Sequence, residues 1–154
     1  MKKIIVLLGL GMALQVNAQT EISSKYDEIG KFHNGIAIVR LHGLEGAINS
    51  EGKEVIKPEW DALTSFGRDG IGYAHKKDLV GLIDKSGTLI AQPIYQRIGH
   101  FKYGKAVVMK DGKKGIMDIN GNIIIEPKYD KLKMENGVII ASENGQDVLL
   151  KAEK

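Results

Sequence analysis

Four histidines, scattered serines and many acids are the only residues in this 154-residue chain whose types suit catalysis or metal binding. The histidines are His33, His42, His75 and His100, and no two stand two or four residues apart, so no local metal-ligand pair exists. They read as surface residues, with His75 at a strand end the best placed for half-burial. Asp118-Ile119-Asn120-Gly121-Asn122 is similar to the start of a calcium loop, but that loop needs a bidentate glutamate at its twelfth position and Tyr129 stands there. A turn explains the same residues. Nucleophilic catalysis needs a serine or cysteine with a base and an orienting acid. Cysteine is absent, and the serines lie in turns, in the amino-terminal lead-in or at a strand end, with no Gly-x-Ser-x-Gly elbow. Asp61 and Asp130 recur at equivalent places, which suits a repeated turn better than a unique catalytic acid. The chain is therefore expected to be non-enzymatic, with no catalytic residues, no metal and no cofactor.

Two sets of side chains could bind a partner instead. Trp60 and Tyr95, together with Tyr26 and Tyr129, form a periodic aromatic column. It is either a buried spine between neighbouring units or an exposed platform for sugar rings or peptide side chains. Lys110, Lys113 and Lys114 make a basic cluster, extended by Lys102, Lys105, Lys76 and Lys77. Lysines can simply guard a strand edge against pairing, or they can meet an anionic partner such as a cell-envelope polymer. The candidate binding residues are thus Trp60, Tyr95, Lys110, Lys113 and Lys114.

These residues are set out by a repeat. The aromatic column has spacings of 34, 35 and 34, and a second column, Phe32, Phe66 and Phe101, follows six residues behind. Glycine columns keep the same period: Gly35, Gly70, Gly104 and Gly137; Gly46, Gly81 and Gly115; Gly52, Gly87 and Gly121. All three prolines, Pro58, Pro93 and Pro127, fall in one column. Repetition of this length implies units that cannot bury their apolar faces alone and must stack on neighbours.

Within each unit the pattern is that of strands and tight turns. An apolar run follows the first glycine, and its small members, such as Ala37 with Val39 and Ala106 with Val108, fall two apart and so on one face. A short second strand ends in Asn49-Ser50-Glu51-Gly52, Asp84-Lys85-Ser86-Gly87 or Asp118-Ile119-Asn120-Gly121, where the Asx side chain and the glycine supply hairpin chemistry. The third strand is expected to end at proline, which lacks a ladder donor. The aromatic then opens a short segment that is either a fourth strand or a turn. No stretch has a sustained helical period.

The first residues, MKKIIVLLGLGMALQVNAQ, combine two lysines, an apolar run from Ile4 to Leu14 and small residues before Gln19. This is the pattern of a secretory signal peptide over residues 1–18, too short to span a bilayer, which takes about twenty apolar residues. Removing those 18 residues leaves 136 of 154, and it takes Lys2 and Lys3 from the 22 basic side chains. The remaining 20 stand against 19 acidic ones, so the alkaline balance is no nucleic-acid footprint. Export, to the periplasm or the exterior, follows as the expected location, with no transmembrane segment in the mature chain.

An aromatic-Asp step, a Gly-x-Ala-x-Val strand, a Gly-x-Ile-Asp hairpin and a Val-Ile-x-Pro-x-Tyr-Asp exit together resemble the WG repeat of bacterial proteins. The resemblance runs from Tyr26 to about Leu150. Glu45, Val80 and Lys114 stand where that family carries its naming tryptophan. The resemblance implies an exported, β-rich repeat array with no agreed activity. The expected organisation is a polar lead-in over 19–25, full units at 26–59, 60–94 and 95–128, a truncated unit at 129–150 and a charged tail at 151–154. The expected fold is all-β: antiparallel meanders in an open solenoid-like stack or partial barrel, ahead of a closed barrel. The expected function is a module binding a protein or cell-envelope component, the alternative being a small glycan-binding or glycan-processing protein.

Overall fold

The computed structural model describes residues 25–135 and 138–151. The expected signal peptide, most of the lead-in and the last three residues of the charged tail lie outside them. Every secondary-structure element in the described part is a β-strand. Sheet 1 contains β1 (Glu28–Ile29), β2 (Ile36–Leu41), β3 (Leu44–Asn49) and β4 (Glu54–Trp60). Sheet 2 contains β5 (Ala62–Leu63), β6 (Ile71–Lys76), β7 (Leu79–Asp84) and β8 (Leu89–Tyr95). Sheet 3 contains β9 (Arg97–Ile98), β10 (Lys105–Lys110), β11 (Lys113–Asp118) and β12 (Ile123–Tyr129). Sheet 4 has three strands, β13 (Lys131–Glu135), β14 (Val138–Glu143) and β15 (Gln146–Lys151). Each sheet is an antiparallel meander in chain order, and no sheet closes into a barrel. This is the all-β open array of three full units and a truncated one that the repeat implied.

The hairpins follow from local chemistry. Asn49, Asp84 and Asp118 each accept backbone N–H groups two and four residues on, at 2.8–3.1 Å. Gly52, Gly87 and Gly121 close those turns with φ near +80°. The other hairpin tip, at His42-Gly43, Lys77-Asp78 and Asp111-Gly112, has two successive residues at positive φ, the geometry of a type I′ turn.

One expectation is corrected. Proline does not end the third strand of a unit; the strand runs through it to the aromatic by way of a bulge. Glu45 pairs with Trp60 and Ala47 with Ile56, so Lys57-Pro58-Glu59 is accommodated opposite Gly46 alone. The same shift recurs at Gly81 and Gly115. Proline is tolerated because a bulge residue need not donate to the ladder. Glycine is required because a Cβ there would sit 2.4–2.5 Å from the carbonyl oxygen of Ile56, Ala91 or Ile125. In consequence each aromatic closes a sheet, and a two-residue strand just past it opens the next.

Period-two alternation gives every sheet two apolar faces, and successive sheets bury them against each other. Sheets 1 and 2 enclose Ile36, Ala47, Ile56 and Trp60 with Leu63, Phe66, Ala74 and Ile83. Sheets 2 and 3 enclose Leu82, Ala91 and Tyr95 with Ile98, Ala106, Val108 and Met117. Sheets 3 and 4 enclose Ile116 and Tyr129 with Leu132, Ile139 and Ala141. Leu82 and Ile116 are fully buried, and burial of one such side chain stabilises by roughly 1.5–3 kcal/mol.

Candidate binding surface

The aromatic and the residue after it join each hairpin tip to the next. Trp60 is paired with Glu45 beside the first tip, and the adjacent Asp61 accepts the Lys77 backbone N–H of the second tip at 2.7 Å. Tyr95 is paired with Val80 beside the second tip, and the Gln96 side chain accepts the Gly112 N–H of the third at 2.8 Å. Tyr129 is paired with Lys114, and Asp130 accepts the Asn144 N–H at 3.0 Å. Asp27 does the same for His42 at 2.7 Å. The periodic acids are therefore tethers for backbone at positive φ, and all four tips lie along one end of the array.

That shared end brings the lysines together. Lys76 and Lys77 flank the second tip, and Lys110, Lys113 and Lys114 surround the third, with Lys110 directly opposite Lys113. Lys113 is bound by Asp130, whose carboxyl pKa is held down first by that contact and then by the Asn144 N–H. Lys110 and Lys114 are half-buried along their stems and have no carboxylate within ion-pair distance among the described residues. Lys76 places its Nζ 5.3 Å from the centre of the Trp60 ring, a cation–π contact that sequence spacing alone does not reveal.

Trp60 and Tyr95 are only 4% and 6% exposed, inside the cores between sheets 1 and 2 and between sheets 2 and 3. Of the two places the sequence left open for the aromatic column, the structure occupies the buried spine. Burial, and next the charge of Glu126, raises the pKa of the Tyr95 hydroxyl. Glu45, in the place of the family tryptophan, accepts the Leu63 N–H at 2.6 Å and an Arg40 guanidinium N–H at 2.7 Å. There it ties the first tip to the next sheet, a role that only the inter-sheet geometry shows.

The opposite end holds two shallow clefts between sheets 2 and 3, of about 470 and 410 Å³. Asp69 lines both and accepts the Ile71 N–H at 3.1 Å. Asp84 lines the larger one. Burial raises its pKa, but hydrogen bonds from the Ser86 hydroxyl and the Thr88, Ser86 and Gly87 N–H groups outweigh that and bring it below the usual range. Tyr73 in the smaller cleft donates to the Gly99 carbonyl at 3.0 Å, and burial, then Asp69, raises its pKa. Asp118, the calcium-loop candidate, is likewise held down, first by the Asn122 side chain and then by the backbone N–H groups of its turn. The carboxylates are already engaged by turn N–H groups, and no cluster of three or more metal-ligating side chains occurs among the described residues.

A family model described as "WG containing repeat" matches residues 19–44, 46–77, 81–113 and 115–146. No curated protein matches the chain. Among solved structures, Kluyveromyces lactis Hsv2p aligns at 16% identity over 82% of this chain and 51% of its own, with a TM-score of 0.40. Kluyveromyces marxianus Hsv2 aligns at 12% identity over 76% of this chain and 44% of its own, also at 0.40. The chain thus spans about half the length of these solved chains, and at such identities and scores the likeness says nothing of function.

Proposed function

The chain belongs to the WG repeat family, and from that premise we propose that it is an exported, non-catalytic module that binds an anionic protein or cell-envelope component through its lysine-bearing hairpin end. The observation that carries the reading is the meeting of Lys76, Lys77, Lys110 and Lys114 on adjacent tips, held in register by Asp61 and Gln96. The tips are pinned at both backbone and side chain, so a partner pays little ordering entropy there. The rest of the distinctive residue set is spent on structure: aromatics in the spine, acids in turns and tethers, glycines and prolines in bulges. Export rests on the charged and apolar first 18 residues, and places the module in the periplasm or outside the cell.

The test is capture from envelope extract by the full chain beside a Lys110→Glu/Lys113→Glu/Lys114→Glu variant. Binding that the variant loses, and that weakens as salt rises past the range where the Debye length falls below about 10 Å, supports the reading. Equal capture by both proteins, or binding indifferent to salt, overturns it.

A further inference from the structure

The two ends of the array are unfinished in complementary ways. Sheet 4 lacks the fourth strand that sheets 1 to 3 possess. Its β15 is left as an edge, and its outer face exposes Val138 (39%), Ile140 (37%) and Leu149 (68%). By strand pairing Leu149 holds the place of Ala47, Leu82 and Ile116, each fully buried under a following sheet.

The other end has the end of a fourth strand with no sheet before it. Thr20-Glu21-Ile22-Ser23-Ser24-Lys25-Tyr26-Asp27 lies 34 residues before Glu54-Val55-Ile56-Lys57-Pro58-Glu59-Trp60-Asp61 in the repeat frame. Its described part behaves accordingly. Asp27 N–H donates to Arg40 O as Asp61 N–H does to His75 O, and the Asp27 carboxylate tethers the His42 tip. Tyr26 packs on Ala37, Val39 and Ile48 of sheet 1, with its hydroxyl donated to Glu54 at 2.7 Å. Phe32, whose equivalent Phe66 is 3% exposed between two sheets, is 49% exposed at this end.

We propose that residues 20–26 of a second copy of this chain add to β15 as the missing fourth strand, setting sheet 4 of one copy against sheet 1 of the other. The join continues the established architecture, in which β4 belongs to sheet 1 and leads directly into β5 of sheet 2. Ile22 occupies the column of Ile56, which pairs with Ala47, and so falls opposite Leu149. Both halves of the bulge are replaced together: Ser24 stands in the proline column and Val148 in the glycine column, so the new pairing is a straight ladder. A second copy is required because one chain leaves the Leu149 face uncovered, while three packed interfaces fix the curvature that would have to change for self-closure. A head-to-tail contact used twice about a two-fold axis closes a ring. Two copies of four sheets give eight, within the range of radial β arrays.

The chain has no cysteine, so introduced thiols report cleanly. Ile22→Cys and Leu149→Cys chains, purified separately at full length and mixed under mild oxidation, are expected to give a covalent heterodimer on a non-reducing gel. The unsubstituted chain is expected to show twice its monomer mass by light scattering. Leu149→Asp is expected to raise the dimer dissociation constant about thirtyfold or more with an unchanged β circular dichroism spectrum. A doubly substituted chain that cross-links within itself as a fast-migrating monomer overturns the proposal, as does a folded chain that never cross-links.

Discussion

The column that contains Leu82 and Ile116 in sheets 2 and 3 contains Leu149 in sheet 4, and exposure goes from 0% to 68% along it. Backbone pairing is the same in all three sheets. What differs is whether another sheet follows. The array is therefore stabilised mainly across its inter-sheet faces, as a sum of neighbour contacts, and the last face shows what one unit is like without its neighbour.

Truncation at the two places should separate them most. Leu82→Ala or Ile116→Ala is expected to lower unfolding free energy by about 2–5 kcal/mol, read by urea denaturation of the monomer at low concentration. Leu149→Ala under the same conditions is expected to change it by less than about 0.5 kcal/mol and to weaken self-association instead. Similar losses at both positions would break the comparison.

Next in size is the bulge. Gly81→Ala or Gly115→Ala puts a Cβ against backbone carbonyl oxygen at 2.4 Å, and such overpacking costs about 1–3 kcal/mol. Val148→Gly is expected to cost about 1 kcal/mol or less, as the loss of a partly exposed side chain and a gain in chain freedom. Thermal unfolding of the three variants beside the parent decides it.

Smaller still is the effect of removing a tether. Asp61→Ala frees the Lys77 N–H at an exposed tip and is expected to cost about 0.5–1.5 kcal/mol, with faster hydrogen exchange at Lys77 than at the interior amides of β6. Unchanged exchange would remove the tether's role in holding the lysines.

The least is a matter of pH. The Glu54 carboxyl is held below its usual range, first by the Lys25 hydrogen bond and then by the Tyr26 hydroxyl, against some burial. A depressed carboxylate contributes stability that is complete above the ordinary glutamate range and is lost as pH falls through the folded-state value. Acid should therefore loosen the Tyr26 seat while the inner cores hold, seen as a Tyr26 ring shift in NMR that Glu54→Gln removes at neutral pH.

Much of this was legible in the residues. Asx residues three before glycine marked the turns, and small residues two apart marked the close faces. The proline column was misread because its bulge depends on the strand opposite: only pairing with Gly46, Gly81 or Gly115 shows that the chain can pass through it. The aromatic column was visible, but its burial depends on sheets meeting, which no single unit encodes. Likewise the lysines of the second and third units looked like separate edges until Gln96 was seen reaching from beside one tip to the other.

The chain's one tryptophan offers the most direct test of the spine. Trp60 fluorescence in the folded protein, with acrylamide as quencher, should show blue-shifted emission and little quenching, unchanged by added glycans, until unfolding exposes the ring in one cooperative step. Red-shifted emission quenched readily in the native state would contradict the account, because the aromatic column would then be a surface and the cores between sheets would lack their centre.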